Sequence, residues 1–280
     1  MKKLTKIVSL LSLSTLAIGV LAGCQGASAK TGIEAIKAND KIRIGVFSDK
    51  PPFGYIDSNG DNQGFDVYIA KRFAKDLLGD ENKVDFVLVE AASRVEYLES
   101  DKVDIILANF TVTDERKEKV DFANPYMKVS LGVVSPDGAL ITDVEQLKGQ
   151  QLIVNKGTTA ETYFTKNHPD IELLKYDQNT EAFQALKDGR GAALAHDNTL
   201  IFSWARENPG FTTSISTLGG LDTISPAVKK GNTELLNWIN EELTVLGNEQ
   251  FIHQAYEATL LPAYGDEIDP EDVVVEGGQL

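Results

Sequence analysis

A handful of residues could do chemistry, and each has a plainer use beside it. Arg116 carries a planar guanidinium, which can grip a carboxylate through two parallel hydrogen bonds as lysine cannot. It stands in a charged run, 114–119, whose bland reading is a solvated face. Thr158 and Thr159 follow Gly157 where a helix should begin. Free N–H groups there attract anions and a hydroxyl adds a donor, although either threonine also suits an ordinary cap. Asp197 lies between a short strand pattern and a helix, placed to hold an ammonium group, to cap that helix, or both. Asn109 and Thr111 sit in a loop after an apolar strand, and such loops form the usual crevice of a parallel sheet. Arg94 is a second guanidinium. Phe53, Tyr55 and Phe110 offer aromatic surface that suits a pocket wall or a core equally.

Other chemistries lack their signatures. The chain has no Gly-x-Ser-x-Gly nucleophile motif, no phosphate loop and no metal-ligand spacing. One cysteine excludes an internal disulfide or a Cys-rich zinc site, and three histidines argue against a His-rich one. No catalytic residue, metal or cofactor is expected. His196 beside Asp197 suggests an acid–base pair, but neighbours at i and i+1 usually point apart, so a core or surface histidine is expected.

Alternating strand and helix patterns must position these groups. Residues 41–47 alternate with period two, and 50–55 break into a loop. Asp66 can cap a helix with Ile69, Phe73 and Leu77 on one face, stopped by Gly79. Strand patterns follow at 84–89 and 103–108, around a short helix at 94–100. A second cycle has strands at 152–154, 171–175 and 192–195 and helices opening at 157, 181 and 197. This predicts parallel α/β sheets in two lobes, joined by extended segments at 126–135 and 221–229. The late helices have no sheet of their own and should pack back on the first lobe. Asp49, Asp66 and Tyr126 are expected to support loops and hinges.

Composition narrows the class. The 280 residues carry 42 acids against 27 bases, a net charge of −15, which repels phosphate backbones and excludes general nucleic-acid binding. A basic start (Lys2, Lys3, Lys6) precedes a charge-free apolar run, 7–22, the pattern of an export signal. That run ends in Leu21-Ala22-Gly23-Cys24, which is similar to the bacterial lipoprotein box. The similarity implies cleavage before Cys24 and acylation of its sulfur, leaving the chain held to a membrane by lipid alone. Residues 1–23 are then a signal peptide and 24–39 the acylated cysteine with its tether. Residues 40–128 with 222–280 form the first lobe, and 129–221 the second.

The resemblance then becomes specific. Gly45-Val46-Phe47-Ser48-Asp49-Lys50-Pro51-Pro52-Phe53-Gly54-Tyr55, Gly64-Phe65-Asp66-Val67 and Ala108-Asn109-Phe110-Thr111-Val112-Thr113-Asp114-Glu115-Arg116 occur in order. The chain resembles the polar amino-acid branch of the solute-binding proteins of ABC importers, family 3, over about residues 40–262. Asn155-Lys156-Gly157-Thr158-Thr159-Ala160, Ala195-His196-Asp197-Asn198-Thr199-Leu200 and Val273-Val274-Val275-Glu276-Gly277-Gly278 look like the cysteine-binding surface lipoproteins within that branch. Aspartate and glutamate binders are near relatives.

The resemblance implies a two-lobe type 2 periplasmic-binding-protein fold that closes by a hinge on one free amino acid. It implies delivery to an ABC permease with its ATPase, from a monomer at the outer face of a bacterial membrane. Arg116 takes the ligand α-carboxylate with Thr111, Thr158 and Thr159. Asp197 and the Asn109 carbonyl take the ammonium. Arg94 stands where acidic-amino-acid binders address a second carboxylate, although relatives with other ligands carry it too. Residue physics alone leans to aspartate or glutamate, because a buried unpaired Arg94 is unfavourable. The middle and C-terminal segments point to cysteine or cystine. Some proteins of this fold are dehydratases that use a carboxylate as general acid, so an enzyme is the alternative from another class.

Overall fold

The computed structural model describes residues 32–280. The signal peptide, Cys24 and most of the tether lie outside the described residues. The chain enters through α1 (Gly32–Asn39), whose Ile36 is buried. Residues 32–39 were expected within the tether; the apolar side of Ile33 and Ile36 packs on the core instead. Next come β1 (Ile42–Val46), β2 (Asp49–Lys50), β3 (Gly54–Ile56), β4 (Asn62–Gln63), α2 (Phe65–Leu78), β5 (Val84–Leu88) and α3 (Arg94–Glu99). They are followed by β6 (Ile105–Ile106), α4 (Asp114–Lys117) and β7 (Val120–Phe122).

β8 (Met127–Pro136) leads into β9 (Gln151–Asn155), α5 (Thr159–Asn167), β10 (Glu172–Tyr176), α6 (Asn179–Lys187), β11 (Ala193–Asp197) and α7 (Asn198–Glu207). The long β12 (Phe211–Ile224) returns, and β13 (Ala227–Lys229), α8 (Thr233–Asn248) and α9 (Phe251–Ala255) complete the frame.

Two five-stranded sheets result, ordered β5-β1-β6-β13-β7 and β10-β9-β11-β8-β12. They are mixed, where parallel sheets were expected. β1 runs parallel to β5 and β6, and β9 to β10 and β11, but β13 and β8 run antiparallel to their neighbours. The physical reason is the crossing. β8 pairs antiparallel with β12 from Met127↔Ile224 to Phe211↔Pro136, so the outward and returning segments form one two-stranded connection. Both extended segments foreseen in the sequence are therefore strands.

Period-two alternation sorts the core. On β6, Ile105 joins the core shared with α2 and α8, while Ile106 faces the opposite cluster around Phe47 and Phe110. On β9, Ile153 and its neighbours Leu152 and Val154 likewise enter different clusters. Helix α2 forms because Phe65, Ile69, Phe73, Ala70 and Ala74 share a buried face. It stops at Gly79, which is left-handed at φ 82° and donates its N–H to the Lys75 carbonyl.

Local expectations fail in three places. Gly64, not Asp66, stands at the N-cap of α2, because the Asp66 side chain is buried and used elsewhere. The loop at 50–55 contributes to a small antiparallel sheet, β2-β3-β4. The strand foreseen at 103–108 pairs only through Ile105 and Ile106 before the chain bends into the Asn109 loop.

Candidate functional site: a charged cavity between the sheets

Asn109 occupies the left-handed region at φ 44°, an uncommon place for a residue with a side chain. Three buried groups hold it there. Its N–H donates to Asp66 Oδ2 at 2.8 Å, its carbonyl accepts from Arg94 Nη1 at 3.2 Å, and its Oδ1 accepts from Lys50 Nζ at 2.5 Å. The Tyr126 hydroxyl donates to Asp66 Oδ1 at 2.6 Å. Asp66 and Tyr126 thus brace a loop, as expected. Burial pushes Asp66 up to about 6, against the Tyr126 hydrogen bond and the field of Lys50.

Around Asn109 lies a small cavity. From the first lobe it is lined by Phe47, Lys50, Ala91, Arg94, Asn109, Thr111 and Arg116. Thr158, Thr159, His196 and Asp197 line it from the second. All the strand-borne positions fall at or beyond the C-terminal ends of β1, β6, β9 and β11, where an α/β sheet leaves its crevice. Larger surface grooves lie elsewhere, among them one beside Lys128 and Tyr264 and another beside Tyr55 and Trp204. Neither gathers buried charge, and buried charge rather than volume marks a site built for a polar ligand.

The guanidiniums come from local folding. Thr113 caps α4 by accepting the Arg116 N–H, which turns Arg116 inward. Arg116 donates to the Thr111 carbonyl at 2.6 Å and, across the cleft, to the Gly157 carbonyl at 2.8 Å. Arg94 donates to the carbonyls of Ala91, Ala108 and Asn109 and also reaches Gly157. Both guanidiniums lie over Phe110, at 4.3 Å for Arg94 and 4.6 Å for Arg116. Burial lowers Arg116 to about 10, and burial with the nearby Arg116 lowers Arg94 as well.

Opposite them stands the N-terminus of α5. The Thr158 hydroxyl accepts from Glu161 N at 3.3 Å and donates to the Asn155 carbonyl at 2.7 Å. Glu161 in turn accepts the Gly157 N–H at 2.7 Å. Thr158 is therefore a helix cap as well as part of the lining, and Thr159 lines the cavity without entering that cap.

Asp197 departs from its simpler reading. It precedes α7 but makes no capping bond. Its Oδ2 instead pairs with Lys50 Nζ at 2.9 Å, both side chains almost wholly buried. Burial alone would raise Asp197, but Lys50 and His196 override it and hold the carboxyl well below its ordinary range. Burial pulls Lys50 downward, opposed by Asp197. The i, i+1 argument fails at His196. The Asp197 N–H donates to His196 Nδ1 at 2.6 Å, which draws the ring to 3.4 Å from Asp197 Oδ2. Burial and Lys50 lower the imidazole from its ordinary value, so it is neutral at pH 7.

Phe53, Tyr55 and Phe110 do not line the cavity. Phe53 and Phe110 are core side chains, and Tyr55 borders an outer groove. The aromatic wall is Phe47, with Lys50 Nζ 5.2 Å and Arg94 Cζ 5.6 Å from its ring centre. Sequence reasoning missed Phe47 and Lys50. A lysine before Pro51-Pro52 reads as a solvated loop residue, and only its place within a family motif set it apart.

Comparison with known proteins follows the same line. The chain is 36% identical over 265 residues to the ABC transporter glutamine-binding protein GlnH of Bacillus subtilis (strain 168), covering 90% of this chain and 96% of that one. A solved structure described as the solute receptors for L-cysteine of Neisseria gonorrhoeae is 62% identical, with a TM-score of 0.87 over 88% of this chain and 100% of that chain. The cysteine-binding protein from Campylobacter jejuni is 59% identical, with a TM-score of 0.86 over 87% and 98%. These likenesses carry the two-lobe, type 2 periplasmic-binding-protein fold. Among the described residues no helix is long and apolar enough to cross a membrane. Residues 42–260 match the bacterial extracellular solute-binding proteins, family 3, and the chain belongs to that family.

Proposed function

We propose that this protein is the receptor of an amino-acid ABC importer, closing on one free L-cysteine and handing it unchanged to the permease and its ATPase. The observation that carries the reading is the buried set itself. Arg116 with the α5 N-terminus offers a carboxylate cradle, and Asp197 across from it offers an ammonium partner. A zwitterion needs both, because a buried charge without a partner is costly. The likeness to the Neisseria and Campylobacter proteins supports cysteine as the side chain chosen.

Binding without chemistry is the reading for the reaction. One solved neighbour is an ancestral amino-acid-binding protein, a precursor of cyclohexadienyl dehydratase, at 30% identity and a TM-score of 0.75. A dehydratase of this kind needs a protonated carboxyl in its cavity. Asp197, the carboxylate in this lining, is held ionised by Lys50, which suits ion pairing and not proton donation. The proposal includes a monomer anchored through acylated Cys24 at the outer face of the cell membrane, with lobes at 40–128 plus 222–280 and at 129–221.

A thermal-shift screen of the twenty amino acids and cystine, followed by calorimetry, tests the reading, since a ligand specific to the folded state raises its melting temperature. Cysteine should give the largest shift and be recovered unchanged on denaturation. Aspartate or glutamate binding tenfold tighter than cysteine, about 1.4 kcal/mol, would overturn the ligand assignment. Arg116→Lys should abolish binding with the fold intact.

A further inference from the structure

The charges lining the cavity do not balance. Lys50, Arg94 and Arg116 bring three cations, and Asp197 is the one carboxylate. Asp197 is already paired with Lys50. Among the described residues neither arginine has an acidic partner at salt-bridge distance; their donors end on backbone carbonyls. Behind the lining, Asp66 faces Lys50 and Arg94, with its oxygens committed to Asn109 and Tyr126. Glu115 and Asp222 face Arg116 from the rim, and His196 is neutral. Among the buried groups, Asp66 included and the two rim carboxylates left out, one positive charge remains in excess. A zwitterion adds one charge of each sign and leaves that excess in place. A ligand with an anionic side chain removes it.

We propose that the site binds cysteine as its thiolate, with the sulfur between Lys50 and Arg94 over the Phe47 ring. The inference rests on the cysteine reading above. Lys50 and Arg94 flank one small volume: both bond to Asn109, and both stand within 6 Å of the centre of the same aromatic ring. On binding, the S–H bond breaks, the proton leaves to solvent, and the electron pair stays on sulfur. Neighbouring lysine and arginine lower a thiol pKa in this way. Sulfur also makes favourable contacts with an aromatic ring. The thiolate accounts for Arg94, whose buried charge argued for an acidic ligand.

Calorimetry in buffers of different ionisation enthalpy counts the proton. The exported chain with Cys24→Ser makes the ligand the only thiol present. Cysteine under reducing conditions is compared with serine and S-methylcysteine, which keep the zwitterion and cannot ionise at the side chain. A free thiol has a pKa of about 8.5, so cysteine arrives largely protonated at pH 7.5. The expected result is about one proton more released with cysteine than with either control. Its Kd should fall about tenfold per pH unit from pH 6.5 to 8. Subtracting the controls removes protons exchanged by Asp66 or His196. Cysteine that binds with the controls' proton count and a pH-independent Kd overturns the thiolate and leaves the receptor reading standing. Aspartate or glutamate outbinding cysteine tenfold overturns the cysteine assignment, and the thiolate falls with it.

Discussion

Asp49 and Lys50 are neighbours on β2, and both reach the second lobe by opposite routes. The pleat sends Lys50 inward to Asp197 and Asn109, where it is 1% exposed. Asp49 turns to the rim. It accepts from Asn179 N at 2.7 Å, Asn179 Nδ2 at 3.0 Å and Thr180 N at 3.3 Å. The two backbone donors are the first N–H groups of α6, whose own N-cap, Gln178, makes no side-chain bond. The first lobe thus caps a helix of the second. Both contacts bridge the lobes, but they differ in what replaces them when broken. Water can serve the rim, whereas loss of one buried partner leaves a bare charge.

The largest effect should come from Asp197→Ala, which strips Lys50 of its partner. Urea unfolding should show a loss of roughly 3–5 kcal/mol, with no amino-acid binding. The double variant Lys50→Met/Asp197→Leu should regain most of the stability and none of the binding. Wild-type stability in the single variant would show that the pair is no anchor. The pH dependence has a definite sign. The Asp197 pKa is depressed in the fold, so its contribution is complete above the ordinary carboxylate range and is lost as pH falls through it toward the folded value.

Gly157→Ala comes next. Gly157 is left-handed at φ 72°, and a Cβ there would lie 2.5 Å from Ala92 Cα and 2.7 Å from its nitrogen. That clash is with backbone across the cleft, so it acts on closure. Affinity should fall by about 2 kcal/mol or more. Stability of the ligand-free form should move by about 1 kcal/mol, the cost of the backbone angle. Small-angle scattering should show a smaller radius for liganded wild type and none of that contraction for the variant. Normal contraction would place the hinge motion elsewhere.

Asp49→Ala removes the cap at the rim. Caps are worth about 0.5–2 kcal/mol, so Kd should rise about 2- to 30-fold, mainly through faster dissociation. Asp49→Asn should keep most of the affinity, since asparagine caps comparably. Equal losses in both variants would mean that charge, and not capping, holds the rim.

The smallest effect lies far from the cleft. Burial would lower His253, but Glu276 at 2.7 Å and Glu271 at 3.1 Å raise it above its ordinary value. Its contribution is therefore full below pH 6.5 and is lost as pH rises through the raised folded value. The pair is partly exposed, which limits the gain to about 1 kcal/mol or less. Melting curves of wild type and His253→Gln should differ at pH 5.5 and converge by pH 8.5. A gap that widens with pH would reverse the assignment.

The frame was legible in the sequence because it rests on local rules. Alternation along β1, the apolar face of α2 and the stop at Gly79 are each written within one segment. Arg94, Arg116, Thr158, Thr159 and Asp197 were named from residue type, position and family motif, and the fold brings all five to one cavity. Tertiary structure alone decided their partners. Lys50 and Asp197 are separated by 147 positions, and the desolvation that makes their pair strong exists only where the lobes meet. The same holds for Phe47, which became the wall once Phe53 and Phe110 turned into the core. Periodicity shows that a side chain is buried, but which buried face meets a cavity depends on packing between segments distant in sequence.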